Sequence, residues 1–227
     1  MTSLKKELEE LADPKYREFS MKLIPGREDI LGVRIPKLRK IASRIMKNDW
    51  HSFLEEESEC FEEDMLRAFV IAGADMSSEE RIGLTREFVP SVDNWAVCDS
   101  LCGDWKADGG SKDGLWEFCT EMLETGEEFP VRIGAVMMLY NFIDAGHING
   151  VLAHLSSVKH AGYYGSMGTA WALSYCYIDY PEETSKAFLS GNMDPKIQNL
   201  AVRKITESRR VSGETKELVK SFRREPQ

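Results

Sequence analysis

Long apolar runs are absent from this sequence of 227 residues. No stretch of about 18 consecutive apolar residues occurs, which argues against a membrane-spanning helix. The five cysteines, an odd number at scattered positions, argue against a disulfide framework. Residues 1–13 have the pattern of a charged helix and not of a signal peptide. We therefore expect a cytoplasmic protein that has no membrane partner.

Signals for β-structure and for common catalytic motifs are also scarce. The β-branched residues are isolated, and no alternating run lies beside a tight hairpin turn. There is no Gly-x-Ser-x-Gly motif, no Gly-rich phosphate-binding loop and no dinucleotide fingerprint. Cys98 and Cys102 lie four apart, but the four histidines are scattered, so cysteines that pack a helix are favoured over a zinc site.

Positive charge is in deficit, with a formal net charge of −9, which is unfavourable for a simple nucleic-acid-binding protein. Lys and Arg outnumber Asp and Glu by 12 to 7 in residues 1–47 and by 8 to 4 in residues 203–227. Residues 48–202 hold 9 basic and 27 acidic side chains, so a polyanion should meet the two ends more readily than the middle. The densest acidic run joins residues 55–59 to 62–64, and a solvated helix face is its favoured interpretation.

Helical periodicity is present along nearly the whole sequence. Leu4, Leu8 and Leu11 recur at helical spacing, and a similar pattern begins at Leu38, after a proline that suits a helix start, Pro36. The same periodicity predicts helices over nine further segments: 60–75, 77–88, 94–104, 111–124, 130–144, 161–179, 182–190, 194–210 and 213–224.

Glycine and proline separate these segments at short intervals, so the sequence predicts an all-α fold. About a dozen helices in antiparallel pairs are typical of an α-solenoid with repeats of ~35–45 residues. An irregular helical bundle fits the pattern equally well. No linker long or polar enough to divide two domains is visible, so we expect one domain over residues 1–227.

The segment Asp93-Asn-Trp-Ala-Val-Cys-Asp99 is the first place that suggests chemistry. Asp93 or Asn94 can cap the helix that follows. Trp95 and Asp99 then lie four apart on the same helix face. An indole face above a fixed negative charge can hold a cation. Taken alone, the residues favour the simpler interpretation of a core tryptophan and an exposed aspartate.

Arg132 is the second place, because it falls in the predicted first turn of an apolar helix. The helix macrodipole disfavours a cation at that end. The unfavourable placement indicates a partner anion, which is either a carboxylate on a neighbouring helix or a phosphate.

An interrupted aromatic stripe is the third place. Tyr164, Gly168, Trp171 and Tyr175 repeat at helical spacing. Gly165 and Gly168 each lower the stability of the helix by about 1 kcal/mol relative to alanine, and they allow close approach of another backbone or of a ligand. A core stripe is the favoured interpretation.

In their order and spacing, several segments together resemble the AlkD-type DNA alkylation repair glycosylases, a family of HEAT-like repeat proteins. The similar segments are Tyr16-Arg-Glu-Phe19, Ile30-Leu-Gly-Val-Arg-Ile-Pro-Lys-Leu-Arg39, residues 93–99, Val131-Arg-Ile-Gly-Ala135, residues 163–173 and Ala201-Val-Arg-Lys-Ile-Thr-Glu-Ser208. The resemblance implies an α-solenoid of HEAT-like repeats.

The resemblance also implies a site and an activity. The family's Trp-x-x-x-Asp falls on Trp95 and Asp99, its active-site arginine on Arg132, and its second tryptophan on Trp171. These residues are expected to line one concave face. The implied activity is excision of N3- and N7-alkylated purines from double-stranded DNA, by a monomer, without extrusion of the base. Because the alkylated purine is already cationic, no metal or organic cofactor is required.

Basic residues near the two ends are the candidates for DNA binding: Lys37, Arg39, Lys40, Arg203, Lys204, Arg209 and Arg210. The family places an arginine three residues after its second tryptophan, where this chain has Ser174, and it offers a lysine where this chain has residues 165–169. The catalytic residues therefore match better than the DNA-binding residues. The alternative is a solenoid that binds unusual DNA or a protein without catalysis or with altered specificity.

Overall fold

A computed structural model describes residues 3–105, 112–159 and 161–225. The described residues form fourteen α-helices, one short 3₁₀ turn and no strand, which confirms the predicted all-α class. None of the described helices is both long and apolar enough to span a bilayer. The chain divides into two compact units, Met1–Trp105 and Lys106–Gln227, and each unit is described by itself.

The first unit contains seven α-helices among its described residues. They are α1 (Ser3–Leu11), α2 (Pro14–Leu23), α3 (Ile35–Met46), α4 (Trp50–Glu55), α5 (Phe61–Gly73), α6 (Ser78–Phe88) and α7 (Trp95–Asp104), with the 3₁₀ turn Val89–Ser91 before α7. Helix α5 contacts both α3 and α7. Leu38 of α3, Leu66 of α5 and Leu101 of α7 have no exposed surface, so the core of this unit lies among these three helices.

Part of the acidic run is buried, contrary to the solvated face that the sequence favoured. Residues 55–59 are exposed, but Glu62, Glu63 and Asp64 are 1%, 6% and 8% exposed. These three residues form the first turn of α5, where the helix dipole stabilises negative charge. The Glu62 carboxylate also accepts hydrogen bonds from the backbone amides of residues 31–33, at 2.9, 2.7 and 3.1 Å.

The second unit also contains seven α-helices among its described residues. They are α8 (Lys112–Glu124), α9 (Glu128–Asn141), α10 (Ile148–Ser157), α11 (Gly162–Asp179), α12 (Pro181–Leu189), α13 (Pro195–Glu207) and α14 (Gly213–Lys220). Helix α11 contacts α9, α10, α12 and α13, so it forms the centre of this unit. Phe118, Ile133 and Leu173 are fully buried in the core.

Two glycines of the predicted aromatic stripe lie where α11 packs against α9. A Cβ atom on Gly165 would lie 2.8 Å from the backbone oxygen of Glu128, and one on Gly168 would lie 2.9 Å from Cγ of Arg132. Of the two explanations that the sequence allowed, close approach of another backbone therefore applies. The absence of a side chain at these two positions allows α11 to pack closely against α9.

Candidate functional site

The N-terminus of α7 is fixed by a side-chain cap. The Asn94 side-chain oxygen accepts hydrogen bonds from the amides of Ala96 and Val97, both at 3.0 Å. Asn94 is therefore the cap, and Asp93 is not. Trp95 is the first residue of the helix, and Asp99 lies one turn later.

The two faces of α7 differ in burial. Val97, Cys98 and Leu101 are at most 1% exposed, and Cys102 is fully buried, as predicted for cysteines that pack a helix. The face that carries Trp95 and Asp99 is only partly buried. The pair is thus neither a core tryptophan nor a fully exposed aspartate.

The Trp95 indole has a defined orientation. Its N–H donates a hydrogen bond to the backbone oxygen of Leu23, at the C-terminus of α2, at 3.0 Å. Because indole has only this donor, Trp95 can engage a further ligand through its ring face and edge, and not as a hydrogen-bond donor. A cationic ligand suits this presentation.

Arg132 lies deeper in the second unit than its sequence position suggested. Helix α9 begins at Glu128, so Arg132 is in its second turn and not in the first, and the unfavourable dipole term is smaller there. The residue is 7% exposed. Its Nη1 donates to the backbone oxygen of Tyr164, at 3.0 Å, which ties α9 to α11.

Trp171 belongs to an aromatic cluster at the surface of the second unit. Its ring lies edge-on to those of Tyr140 and Tyr175, with centroid distances of 6.1 and 6.2 Å. Trp171 and Tyr175 are partly buried, and Tyr140 is 48% exposed. The stripe is therefore not a simple core feature. The spacing of the stripe does not predict Tyr140, because this residue lies near the end of the neighbouring helix and not on the stripe.

A cleft of about 220 Å³ lies beside Trp171. Its lining residues come from α11, α13 and the residue after α13: Trp171, Ser174, Tyr175, Ile178, Lys204, Glu207 and Ser208. The structure thus brings a candidate catalytic residue, Trp171, next to a candidate DNA-binding residue, Lys204. Ser174 is 3% exposed, and its hydroxyl donates to the backbone oxygen of Trp171 at 2.7 Å.

Several of the candidate DNA-binding arginines are paired with carboxylates. Arg39 binds Asp104 at 2.5 Å, Arg203 binds Glu207 at 2.8 Å and Arg210 binds Asp179 at 2.6 Å. Exposed pairs of this kind contribute about 0–1 kcal/mol each, so a phosphate can compete for them. The remaining candidates are also surface residues: Lys37, Lys40 and Arg209 are exposed, and Lys204 is partly buried.

The four candidate catalytic residues are distributed over both units. Trp95 and Asp99 belong to the first unit, and Arg132 and Trp171 belong to the second. Their convergence on one concave face stays a prediction.

A family model for DNA alkylation repair enzymes matches residues 4–204. The match covers most of the chain, which therefore belongs to the DNA alkylation repair enzyme family. Comparisons with curated proteins and with solved structures gave no significant match. Membership in this family indicates a role in DNA alkylation repair and an interaction with DNA.

Proposed function

We propose that this protein is an AlkD-type DNA glycosylase that hydrolyses the N-glycosidic bond of N3- and N7-alkylated purines in double-stranded DNA. The observation that carries the proposal is the Trp95–Asp99 pair. It places an oriented indole and a carboxylate on one accessible face of a capped helix. We further propose that residues 1–227 form one domain, an α-solenoid of HEAT-like repeats that acts as a monomer in the cytoplasm.

Asp99 provides the charge that this reaction needs. Cleavage of the glycosidic bond leaves positive charge on the deoxyribose, as in other glycosyl transfers. A carboxylate next to C1′ stabilises that charge and orients the attacking water. The water adds to C1′, its proton is released, and the alkylated purine leaves with the bonding electrons as a neutral base. The purine is cationic before the reaction, so the proposed mechanism needs no cofactor and no strong general acid.

Trp95 and Trp171 supply aromatic faces for the cationic nucleotide. An indole face contributes about 0.5–2 kcal/mol to binding a cation, depending on desolvation. The indole N–H of Trp95 is already engaged with Leu23, which leaves the ring for this role. In this proposal the lesion is processed without extrusion of the base, unlike the usual glycosylase strategy.

The basic residues hold the DNA backbone in this proposal. Arg132 anchors a phosphate next to the lesion, and its bond to Tyr164 sets the orientation of the guanidinium. The candidate residues of the two ends add electrostatic contacts along the duplex. The cleft that joins Trp171 to Lys204 supports this division of roles, because it places a cation beside an aromatic surface.

Release of the base is the direct test. Purified protein is incubated at low salt with duplex DNA that carries N7-methylguanine or N3-methyladenine, and with unmodified duplex as the control. We expect free methylated purine and an equal amount of abasic site from the alkylated duplex alone. Bound DNA without release at a large excess of protein would contradict the proposal.

The alternative function is a module that binds unusual DNA or a protein without catalysis. The excess of acidic over basic side chains in residues 48–202, 27 against 9, favours this alternative, because it opposes the approach of the DNA backbone to the candidate catalytic residues. The alternative would be established if wild type and an Asp99 variant bind the alkylated duplex tightly and equally and neither releases the base.

A further inference from the structure

Arg27 makes an extensive set of ion pairs in the first unit, although no pattern in the sequence distinguishes it. Its side chain is 14% exposed. Nε and Nη2 donate to the two carboxylate oxygens of Asp29, at 2.8 and 2.7 Å. Nη2 also donates to Asp64 at 2.7 Å, and Nη1 donates to Asp93 at 2.9 Å. One guanidinium thus contacts three carboxylates.

The three carboxylates belong to different parts of the first unit. Asp29 lies on the same loop as Arg27, between α2 and α3. Asp64 lies in the first turn of α5, with a side chain that is 12% exposed. Asp93 lies two residues before the start of α7. Arg27 therefore connects the helix at the centre of this unit, α5, with the approach to the helix that carries the Trp95–Asp99 pair.

Asp93 is also connected to the cap of α7. The Asn94 side-chain amide donates to the Asp93 oxygen that accepts from Arg27, at 2.9 Å. The oxygen of the same Asn94 side chain accepts from the amides of the second and third residues of α7, Ala96 and Val97. A continuous set of hydrogen bonds therefore runs from Arg27 through Asp93 and Asn94 into the helix.

A second connection joins the same loop region to α7. The Trp95 indole donates to Leu23, which lies four residues before Arg27. The segment between Leu23 and Arg27 is thus bound to the start of α7 at both of its ends. Burial alone would lower the pKa of Arg27, but the hydrogen bonds to Asp29 and Asp64 outweigh it and raise the pKa above its usual value. Arg27 therefore stays charged.

We propose that Arg27 and Asp93 form a positioning pair, which fixes the N-terminus of α7 and, with it, the directions in which Trp95 and Asp99 project. Arg27 itself does not touch the substrate in this proposal. The effect on catalysis rests on the glycosylase function proposed above, whereas the effect on the order of α7 does not.

Two aspartate variants separate positioning from a general loss of charge. Asp93→Ala removes both bonds that Asp93 accepts, from Arg27 and from the Asn94 amide, and Asp29→Ala removes two bonds from Arg27 but leaves the connection to α7 intact. Both variants change the net charge by the same amount, and both positions are at least 39% exposed in their side chains. We expect Asp93→Ala to slow single-turnover excision about tenfold, since small displacements of reacting groups cost this much or more. DNA affinity should change little and equally in the two variants, and the excision rate of Asp29→Ala should resemble that of wild type.

A third variant and a second measurement complete the test. Asp93→Asn keeps an oxygen acceptor and should recover most of the rate. Hydrogen exchange of the α7 amides should be faster in Asp93→Ala and unchanged in Asp29→Ala, even if wild type proves to have no glycosylase activity. Equal effects of the two alanine variants on exchange would overturn the proposal, as would normal exchange in Asp93→Ala. Fast exchange with an unchanged excision rate would overturn the catalytic part.

Discussion

Gly168 packs so closely on Arg132 that a Cβ atom at position 168 would lie 2.9 Å from the arginine Cγ and 3.3 Å from its Cα. Neither atom is at the flexible end of the side chain, so a larger residue would displace the arginine or separate the two helices. Arg132 in turn binds the Tyr164 oxygen on the same helix as Gly168. Two residues that the sequence singled out for different reasons therefore belong to one packing contact between α9 and α11.

Gly168→Ala should destabilise the protein by about 1–3 kcal/mol, because overpacking costs more than the gain in helix propensity. Gly83→Ala is the matched control. It lies inside α6, where a Cβ atom would meet nothing within 4 Å, and should stabilise the protein by up to about 1 kcal/mol. Urea denaturation of both variants measures the difference, and equal stability of the two would contradict the packing argument.

The burial of Glu62 yields a second stability prediction. Its carboxylate accepts three backbone hydrogen bonds from residues 31–33, and a glutamine would direct an N–H group at donors. Glu62→Gln should therefore cost about 2–3 kcal/mol, as for a buried charged hydrogen bond that is removed. Glu57→Gln removes an equal charge from an exposed position of the same acidic run and should change stability by less than about 0.5 kcal/mol. Denaturant titration at neutral pH compares the two variants.

The packing of Gly168 and the burial of Glu62 depend on contacts between distant parts of the chain, whereas the positions of the helices can be predicted from the local sequence pattern. Periodicity predicted α5, α6 and α7 within about two residues of their observed ends. It missed α2 and α4, although their caps are visible in the sequence. Asp13 caps α2 just before a proline, and Asp49 caps α4. It also missed α10, whose cap residue, His147, makes no side-chain hydrogen bond to the first amides of the helix.

Burial of polar residues was harder to predict than helices. Glu62 resembles its exposed neighbours in composition, and only the loop around Gly32, some thirty residues earlier, makes it a buried acceptor. The candidate site shows the same limit. Local spacing drew attention to Trp95 and Asp99 and left the cap open between Asp93 and Asn94, but Arg27 and Tyr140 matter only through contacts with distant residues.

The environment of Asp144 predicts that the stability of the protein changes with pH in the acid range. Its pKa is lowered from 3.8 to about 2, chiefly by the hydrogen bond with His147, and further by those with Lys112 and the amide of Gly146. A carboxylate with a lowered pKa contributes stability above its unfolded-state pKa and loses it as pH falls through the folded-state value. Between about pH 4 and pH 2, Asp144→Asn should therefore lose less stability than wild type. Thermal unfolding across this range measures the slope, and parallel curves would be inconsistent with the prediction.

The basic ends predict a change in the salt dependence of DNA binding. Reversing the charge of Lys40 and Arg209 should weaken binding at low salt and flatten the plot of log affinity against log salt, by about 0.9 for each phosphate that is no longer neutralised. The control variant reverses the charge of Lys186 and Lys196, which are not candidate DNA-binding residues, and it has the same net charge. These positions are also exposed, so folding should be intact in both variants. Fluorescence anisotropy over a salt series measures the slope for each variant and so distinguishes a local contact from a general effect of charge. Identical slopes for the two double reversals would show that Lys40 and Arg209 do not contact the DNA.

Asp99→Asn tests the chemical core of the proposed function. The amide retains the size and the polar character of the side chain, so the fold and the DNA affinity should change little. It lacks the negative charge that stabilises the cationic sugar, and groups of this kind contribute about 3–4 kcal/mol to the transition state. Single-turnover release of methylated purine should therefore slow by about two to three orders of magnitude.

An exposed aspartate supplies the control for this variant. Asp113→Asn removes the same charge from an exposed position in α8 and should leave the rate unchanged. The contrast matters because the chain carries a net charge of −9, so removal of any carboxylate favours DNA binding slightly. A fall in rate at Asp99 alone, with affinity equal to or above that of wild type, separates stabilisation of the transition state from binding of the duplex. Equal rates for wild type and Asp99→Asn would place the catalytic charge elsewhere.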